Sequence, residues 1–137
     1  MLDVLEVQEL IIEKLKNTGE FRKVELFQGD PEDMQKGLTT PAVHLVYNGA
    51  ELQNEAGSGS VKSIITVRLS VYLITKNLKA DLIKTAEAKD MLKVIRQALH
   101  GLTHKGIMLM WQRESAVSIE NRTHIYEQEY MYKDYLV

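Results

Sequence analysis

The sequence predicts an α+β domain of two layers, in which two helices pack on one face of a mainly antiparallel, four- to five-stranded sheet. Three observations support this fold class. Apolar side chains alternate throughout residues 61–74, which is typical of a long strand. Two other segments carry apolar residues at helical spacing. The remaining apolar runs are short and separated by turn residues, as in antiparallel sheets.

Composition limits the class of protein. A length of 137 residues suits one domain, so we expect residues 1–137 to fold as a single unit. The net charge of −2, with dispersed Lys and Arg, argues against a nucleic-acid surface built on bulk electrostatics, and we expect no direct sequence-specific contact with nucleic acid. The absence of cysteine excludes thiol catalysis. No apolar run approaches the roughly 18 residues of a membrane span, and the N-terminus is unlike a signal peptide. We therefore expect an intracellular protein without a membrane partner.

Two helices are predicted from capping signals and periodicity. Asp3 is a suitable N-cap for the first helix, and Gly19 is suited to the left-handed conformation that ends it. The second helix covers residues 79–100 and stops at Gly101. The residues expected in the core beneath these helices are Leu69, Val71, Leu92, Ile95 and Leu109.

Five strands are predicted. They cover residues 21–28, 41–49, 61–74, 106–112 with an extension at 117–119, and 124–133. Pro41 opens the second strand, where its missing N–H costs nothing. In the last strand, alternation places Tyr126, Tyr130 and Tyr132 on one face and Glu127 and Glu129 on the other.

The strand at residues 106–112 is apolar on both faces, with Met108 and Met110 opposite Leu109 and Trp111. Two helices cannot cover both faces, so either a third layer or another subunit covers the second one. An ordinary solvent-facing sheet is the alternative. The candidate subunit interface consists of Val46, Ile64, Thr66, Tyr72, Met108 and Met110.

A polar, Gly- and Ser-rich segment, ELQNEAGSGS at residues 51–60, connects two strands. Its composition predicts a mobile projection rather than a part of the core. No Lys-Ser/Thr pair or helix start follows it, which argues against a phosphate-binding loop. The residues of this candidate projecting loop are Glu51, Gln53, Asn54, Glu55, Gly57 and Gly59.

The residues do not predict a catalytic, metal or cofactor site. His100 and His104 have metal-ligand spacing, but Gly101 interrupts the helix that would align them. Glu127 and Glu129 share a strand face without an aromatic cleft around them, so a glycosidase pair is disfavoured. The tyrosines of the last strand lack the neighbouring basic groove that binds single-stranded nucleic acid, so sheet packing is preferred.

The order of elements resembles one known family. An amphipathic helix and a short strand precede PAVHLVYNG, a long hairpin with a Gly/Ser tip and VRLSVYLITKN. The helix DMLKVIRQALHGL, a Trp-bearing strand and a Tyr-rich strand follow. Over nearly the whole chain, this order resembles the Mu-like bacteriophage tail-terminator (tail-completion) family of virions and prophages.

The resemblance implies a non-enzymatic, hexameric ring that caps the tail tube, ends its growth and docks the head. Its partners would be further copies of itself, the tail tube and head-neck proteins. It would be assembled in the bacterial host cytoplasm and remain in the virion. Two alternatives stay open: a head-tail joining or neck protein of similar fold, and a small ligand-binding module or enzyme with a pocket under the second helix.

Overall fold

The computed structural model describes residues 1–29, 39–53, 63–76, 82–120 and 122–136, with backbone only at 82–86 and 119–120. In chain order the elements are α1 (Val4–Asn17), β1 (Lys23–Leu26), β2 (Ala42–Leu52), β3 (Ser63–Lys76), α2 (Leu82–Leu99), β4 (Thr103–His104), β5 (Ile107–Met108), β6 (Met110–Glu120) and β7 (Thr123–Leu136). Of the helices in these ranges, none has the length and apolar character needed to cross a membrane.

Five strands form one sheet in the order β1-β2-β3-β7-β6, and β4 and β5 form a separate two-stranded sheet. β1 runs parallel to β2, while the other neighbours in the large sheet are antiparallel. The predicted fold class is therefore confirmed. The parallel pairing of β1 is a feature that the sequence pattern did not indicate.

β3 is the centre of the large sheet. It pairs with β7 over its whole length, from Ser63 opposite Leu136 to Lys76 opposite Thr123. On its other side it pairs with β2 from Ile65 to Ile74. Because successive side chains alternate across the sheet, the odd-numbered residues from Ile65 to Leu73 all face the helices.

Both helices pack on this one face, and α1 and α2 also contact each other. α1 contributes its buried residues Val7, Ile11 and Leu15 to the core. All five residues predicted to be core are buried: Leu69, Val71, Leu92, Ile95 and Leu109. The predicted start of α1 is also confirmed, since the Asp3 carboxylate accepts a hydrogen bond of 3.0 Å from the Leu5 N–H.

The strand predicted at residues 106–112 is in fact divided. Residues Ile107–Met108 form β5 and pair with β4, whereas β6 begins at Met110. Leu109 lies between them and exchanges backbone hydrogen bonds with the end of α2: its N–H donates to Leu102 O, and its carbonyl accepts from Gly101 N–H. The apolar pattern continues through this turn because Leu109 is buried on the helix side.

The connection between β2 and β3 is a hairpin, as predicted. Gly49 lies within β2, at a register shift against β3, with φ of +110°. Of the predicted projecting loop, Glu51 belongs to β2, and the Gln53 N–H donates to Ile64 O. Asn54, Glu55, Gly57 and Gly59 lie outside the described residues.

Candidate assembly surface

The outer face of the large sheet, meaning the face away from the two helices, carries most of the candidate interface residues. Val46, Ile64, Thr66, Tyr72 and Met110 all lie on it, as follows from their register with neighbouring strands. Thr66 is buried and the other four are half-buried. Met108 is 50% exposed but belongs to β5, outside the large sheet. The structure therefore places five of the six candidates together and separates the sixth.

A hydrogen-bonded polar group occupies the middle of the outer face. Asn48 donates a hydrogen bond of 2.5 Å to the Ser70 hydroxyl, which donates one of 2.6 Å to the Glu127 carboxylate. The Tyr72 hydroxyl donates to the same carboxylate oxygen at 3.2 Å. Burial, followed by the Glu127 charge, raises the pKa of Tyr72. These bonds join β2, β3 and β7, and they fix the side chains in a defined pattern.

Two ion pairs flank this group. Arg113 of β6 pairs with Glu129 of β7, and the hydrogen bond to that carboxylate raises the pKa of Arg113. Arg68 of β3 pairs with Glu51 of β2 at 3.2 Å. Glu127 and Glu129 share a face as predicted, but each has its own donors. They therefore resemble parts of a structural network more than a catalytic acid–base pair.

His44 lies on the outer face, where β1 and β2 pair, and its ring is buried. Its Nδ1 atom is 3.4 Å from a Glu25 carboxylate oxygen, but neither ring nitrogen has a hydrogen-bond partner among the described residues. The Phe27 ring contacts it edge-on, with centroids 5.0 Å apart. Burial lowers the pKa of His44, and the nearby Glu25 charge opposes this effect only in part.

His100 and His104, the pair with metal-ligand spacing, have separate structural partners. His100 Nδ1 accepts a hydrogen bond from the Trp111 N–H, and His104 Nε2 lies 3.0 Å from a Glu6 carboxylate oxygen. Lys105 binds the same carboxylate, and its hydrogen bond is the main reason that the pKa of Glu6 is lowered. Among the described residues, no group of three or more His, Asp or Glu side chains is arranged to hold a metal ion.

A second polar network lies on the helix side, and sequence reasoning missed it. Gln128, fully buried in β7, donates hydrogen bonds to the Leu92 carbonyl of α2 and to Glu114 of β6. It accepts one from the Tyr130 hydroxyl, and Glu114 also accepts from Arg96. The network ties α2 to the two strands beneath it. A single glutamine on the apolar face of β7 was its only signal in the sequence.

Two clefts that are lined by described residues lie beside the helices. One of about 350 Å³ is lined by residues that include Gln8, Phe27 and Tyr47. The other, of about 340 Å³, lies between the last turns of α2 and the start of β6, lined by Arg96, Gln97, His100 and Trp111. The second lies beside the end of α2, with the exposed Gln97 and His100 in its lining, rather than under the helix. Neither cleft combines a nucleophile or general base with an activating partner among the described side chains.

The geometry defines an α+β fold with helices on one side and a patterned, hydrogen-bonded sheet face on the other. A family model described as "Phage tail terminator protein" matches residues 1–133. The chain therefore belongs to the phage tail terminator family, and it is a structural component of phage tails. The predicted family is confirmed, while its Mu-like branch stays a prediction.

Comparison with solved structures gives a consistent fold. A chain from "Virion of native gene transfer agent (GTA) particle" is similar with a TM-score of 0.58 and 12% sequence identity. The similarity covers 94% of this chain and 94% of that chain. At this level of identity it establishes a shared fold. No curated protein matches the sequence.

Proposed function

We propose that this protein forms a ring of identical copies that closes the growing end of the tail tube and presents a docking surface to the head. The match of the tail terminator family over residues 1–133 carries this proposal. A hexamer is the ring that the family resemblance implies. Assembly takes place in the bacterial host cytoplasm, and the ring remains in the virion.

The role is one of contact rather than catalysis. In the ranges that the structure describes, several histidines and carboxylates take part in structural pairs such as Glu6–His104 and Glu127–Tyr72. The outer face offers a pattern of hydrogen-bonded polar groups flanked by the half-buried Val46 and Met110. A rigid, preorganised surface suits repeated docking, because little side-chain entropy is lost on contact.

The test is complementation of a phage that lacks this gene, with tails examined by electron microscopy. The unmodified protein should restore tails of uniform length joined to heads. Without it, tubes of irregular length are expected. If the phage that lacks this gene instead makes tails of normal length that fail to join heads, the alternative of a head-tail joining protein is supported.

Two matched variants locate the surface. Met110→Glu places a charge on the outer face, whereas Leu5→Glu places one on α1, where Leu5 is 46% exposed. We expect Met110→Glu to prevent capping and Leu5→Glu to leave it intact, with similar thermal stability for both. Equal complementation by the two variants would show that the outer face near Met110 is not used in assembly.

A further inference from the structure

One end of the sheet has two open edges. β1 pairs with β2 only from Ala42 to Leu45, and β6 pairs with β7 only as far as Met131. Beyond these points, β2, β3 and β7 continue as a three-stranded ribbon. Among the described residues, no other strand is hydrogen-bonded to the outer edge of β2 or of β7 in this ribbon, although β5 contacts β7 and the Leu2 N–H donates to Asp134. Unpaired edges of this kind are templates for contact with another chain.

The two edges carry complementary side chains at the same level. Glu51 on β2 and Lys133 on β7 both lie opposite Thr66 of β3, so they occupy one cross-strand row. Both are exposed. Glu51 pairs with Arg68 of its own chain, whereas no described residue forms an ion pair with Lys133. On the helix side, the exposed Leu52 and Leu136 lie near the same two edges. Each edge thus has a charged group on one face and an apolar group on the other.

A closed ring relates its copies by rotation without translation along the axis. If the ring axis runs parallel to the strands, each cross-strand row of one copy lies at the same height along the axis as the same row of the next copy. The Lys133 edge of one copy then faces the Glu51 edge of the next. We propose that neighbouring copies in the ring meet at these two edges, with Glu51 against Lys133. The occupant of each open edge is therefore a second copy of this chain, and the inference rests on the proposed ring.

Cysteine cross-linking tests this contact directly, since the natural chain contains no cysteine. In one chain, positions 51 and 133 are two strand spacings apart, about 10 Å, which is beyond the roughly 7 Å limit for a disulfide. A disulfide in the double variant Glu51→Cys with Lys133→Cys must therefore join two chains. Upon oxidation, in solution or on tail tubes, we expect a ladder of covalent oligomers, and only background dimers from either single variant.

Charge reversal gives a second test. The quantity measured is the protein concentration at which half of the chains are assembled. Glu51→Lys or Lys133→Glu alone should raise it about tenfold, because each places like charges together at the contact. The two changes combined should restore this concentration to within about threefold of the wild-type value. The control Glu13→Lys, at an exposed position of α1, should leave it unchanged. Thermal midpoints of all variants show whether each one is folded.

The outcomes separate this inference from the proposed function. If the wild-type protein assembles while the double-cysteine variant remains monomeric on denaturing gels, the edge contact is wrong and the ring stands. If the double charge reversal assembles no better than the single ones, the pairing of Glu51 with Lys133 is wrong. If the wild-type chain stays monomeric both in solution and on tubes, the ring itself fails.

Discussion

The buried glutamine of β7 gives a sharp test of what holds the second helix on the sheet. Gln128 donates at 2.9 Å to the Leu92 carbonyl and at 2.7 Å to Glu114, and it accepts from the Tyr130 hydroxyl at 2.5 Å. Tyr130 is also fully buried, and burial raises its pKa above the usual value. The proposed perturbation is Gln128→Leu, which keeps a similar side-chain volume.

The main cost of this change falls on Tyr130. Its hydroxyl loses its acceptor in a buried position, which costs about 1–3 kcal/mol of unfolding free energy. The Leu92 carbonyl retains its bond within α2, and Glu114 retains Arg96. Tyr130→Phe should cost a similar amount, about 1–3 kcal/mol, because it leaves the Gln128 carbonyl oxygen without its donor.

The double variant distinguishes this explanation from a simple packing defect. With both Gln128→Leu and Tyr130→Phe, no polar atom of this pair is left buried without a partner. The combined cost should therefore fall below the sum of the single costs by at least about 1 kcal/mol. Urea unfolding followed by circular dichroism measures all three values. Gln97→Leu, at an exposed position of α2, is the control and should change stability by less than about 0.5 kcal/mol. Additive costs would refute the reasoning.

Three further predictions follow. Leu92→Ala or Ile95→Ala should each cost about 2–5 kcal/mol in urea unfolding, because both side chains are buried in the core; a negligible cost at both sites would contradict their packing role. Burial lowers the pKa of His44 in the folded chain, so on acidification the unfolded chain binds a proton at His44 at a higher pH than the folded chain does. The free energy of unfolding should therefore fall as the pH drops below about 6.5. In the His44→Leu variant, the free energy of unfolding should fall less between pH 8 and pH 5. An unchanged pH dependence would exclude His44 as its source. Replacement of residues 53–59 by a two-residue turn should change stability by less than about 1 kcal/mol, yet we expect it to prevent capping in the complementation assay; normal tails would show that the projection is dispensable.

Local patterns in the sequence were sufficient for much of the fold. The period-two alternation of β3 identified the central strand, and the helical spacing of apolar residues identified both helices and their buried sides. Asp3 marked the start of α1 because its capping bond is made two residues away. The faces of β7 followed from alternation, with Tyr130 and Tyr132 in the core. Burial raises the pKa of Tyr132 to about 12, in agreement with that position.

Features that depend on distant residues were decided by the tertiary structure alone. The parallel pairing of β1 depends on which edge of the sheet is free, and no local pattern reports that. The division of residues 106–112 depends on backbone hydrogen bonds between Leu109 and the end of α2. Side-chain periodicity cannot reveal such bonds, because the apolar face continues through the turn.

The same limit applies to the assembly surface. Alternation predicted that Thr66 and Tyr72 share a face, but only the register showed that Ser70 and Tyr72 both donate to Glu127. Likewise, Glu51 and Lys133 are 82 residues apart in the sequence (133 − 51). They both lie opposite Thr66 only because β2 and β7 pair with β3. Register is set by the sum of many contacts along paired strands. For that reason the sequence determined the elements and their faces, and the folded sheet determined which polar groups meet.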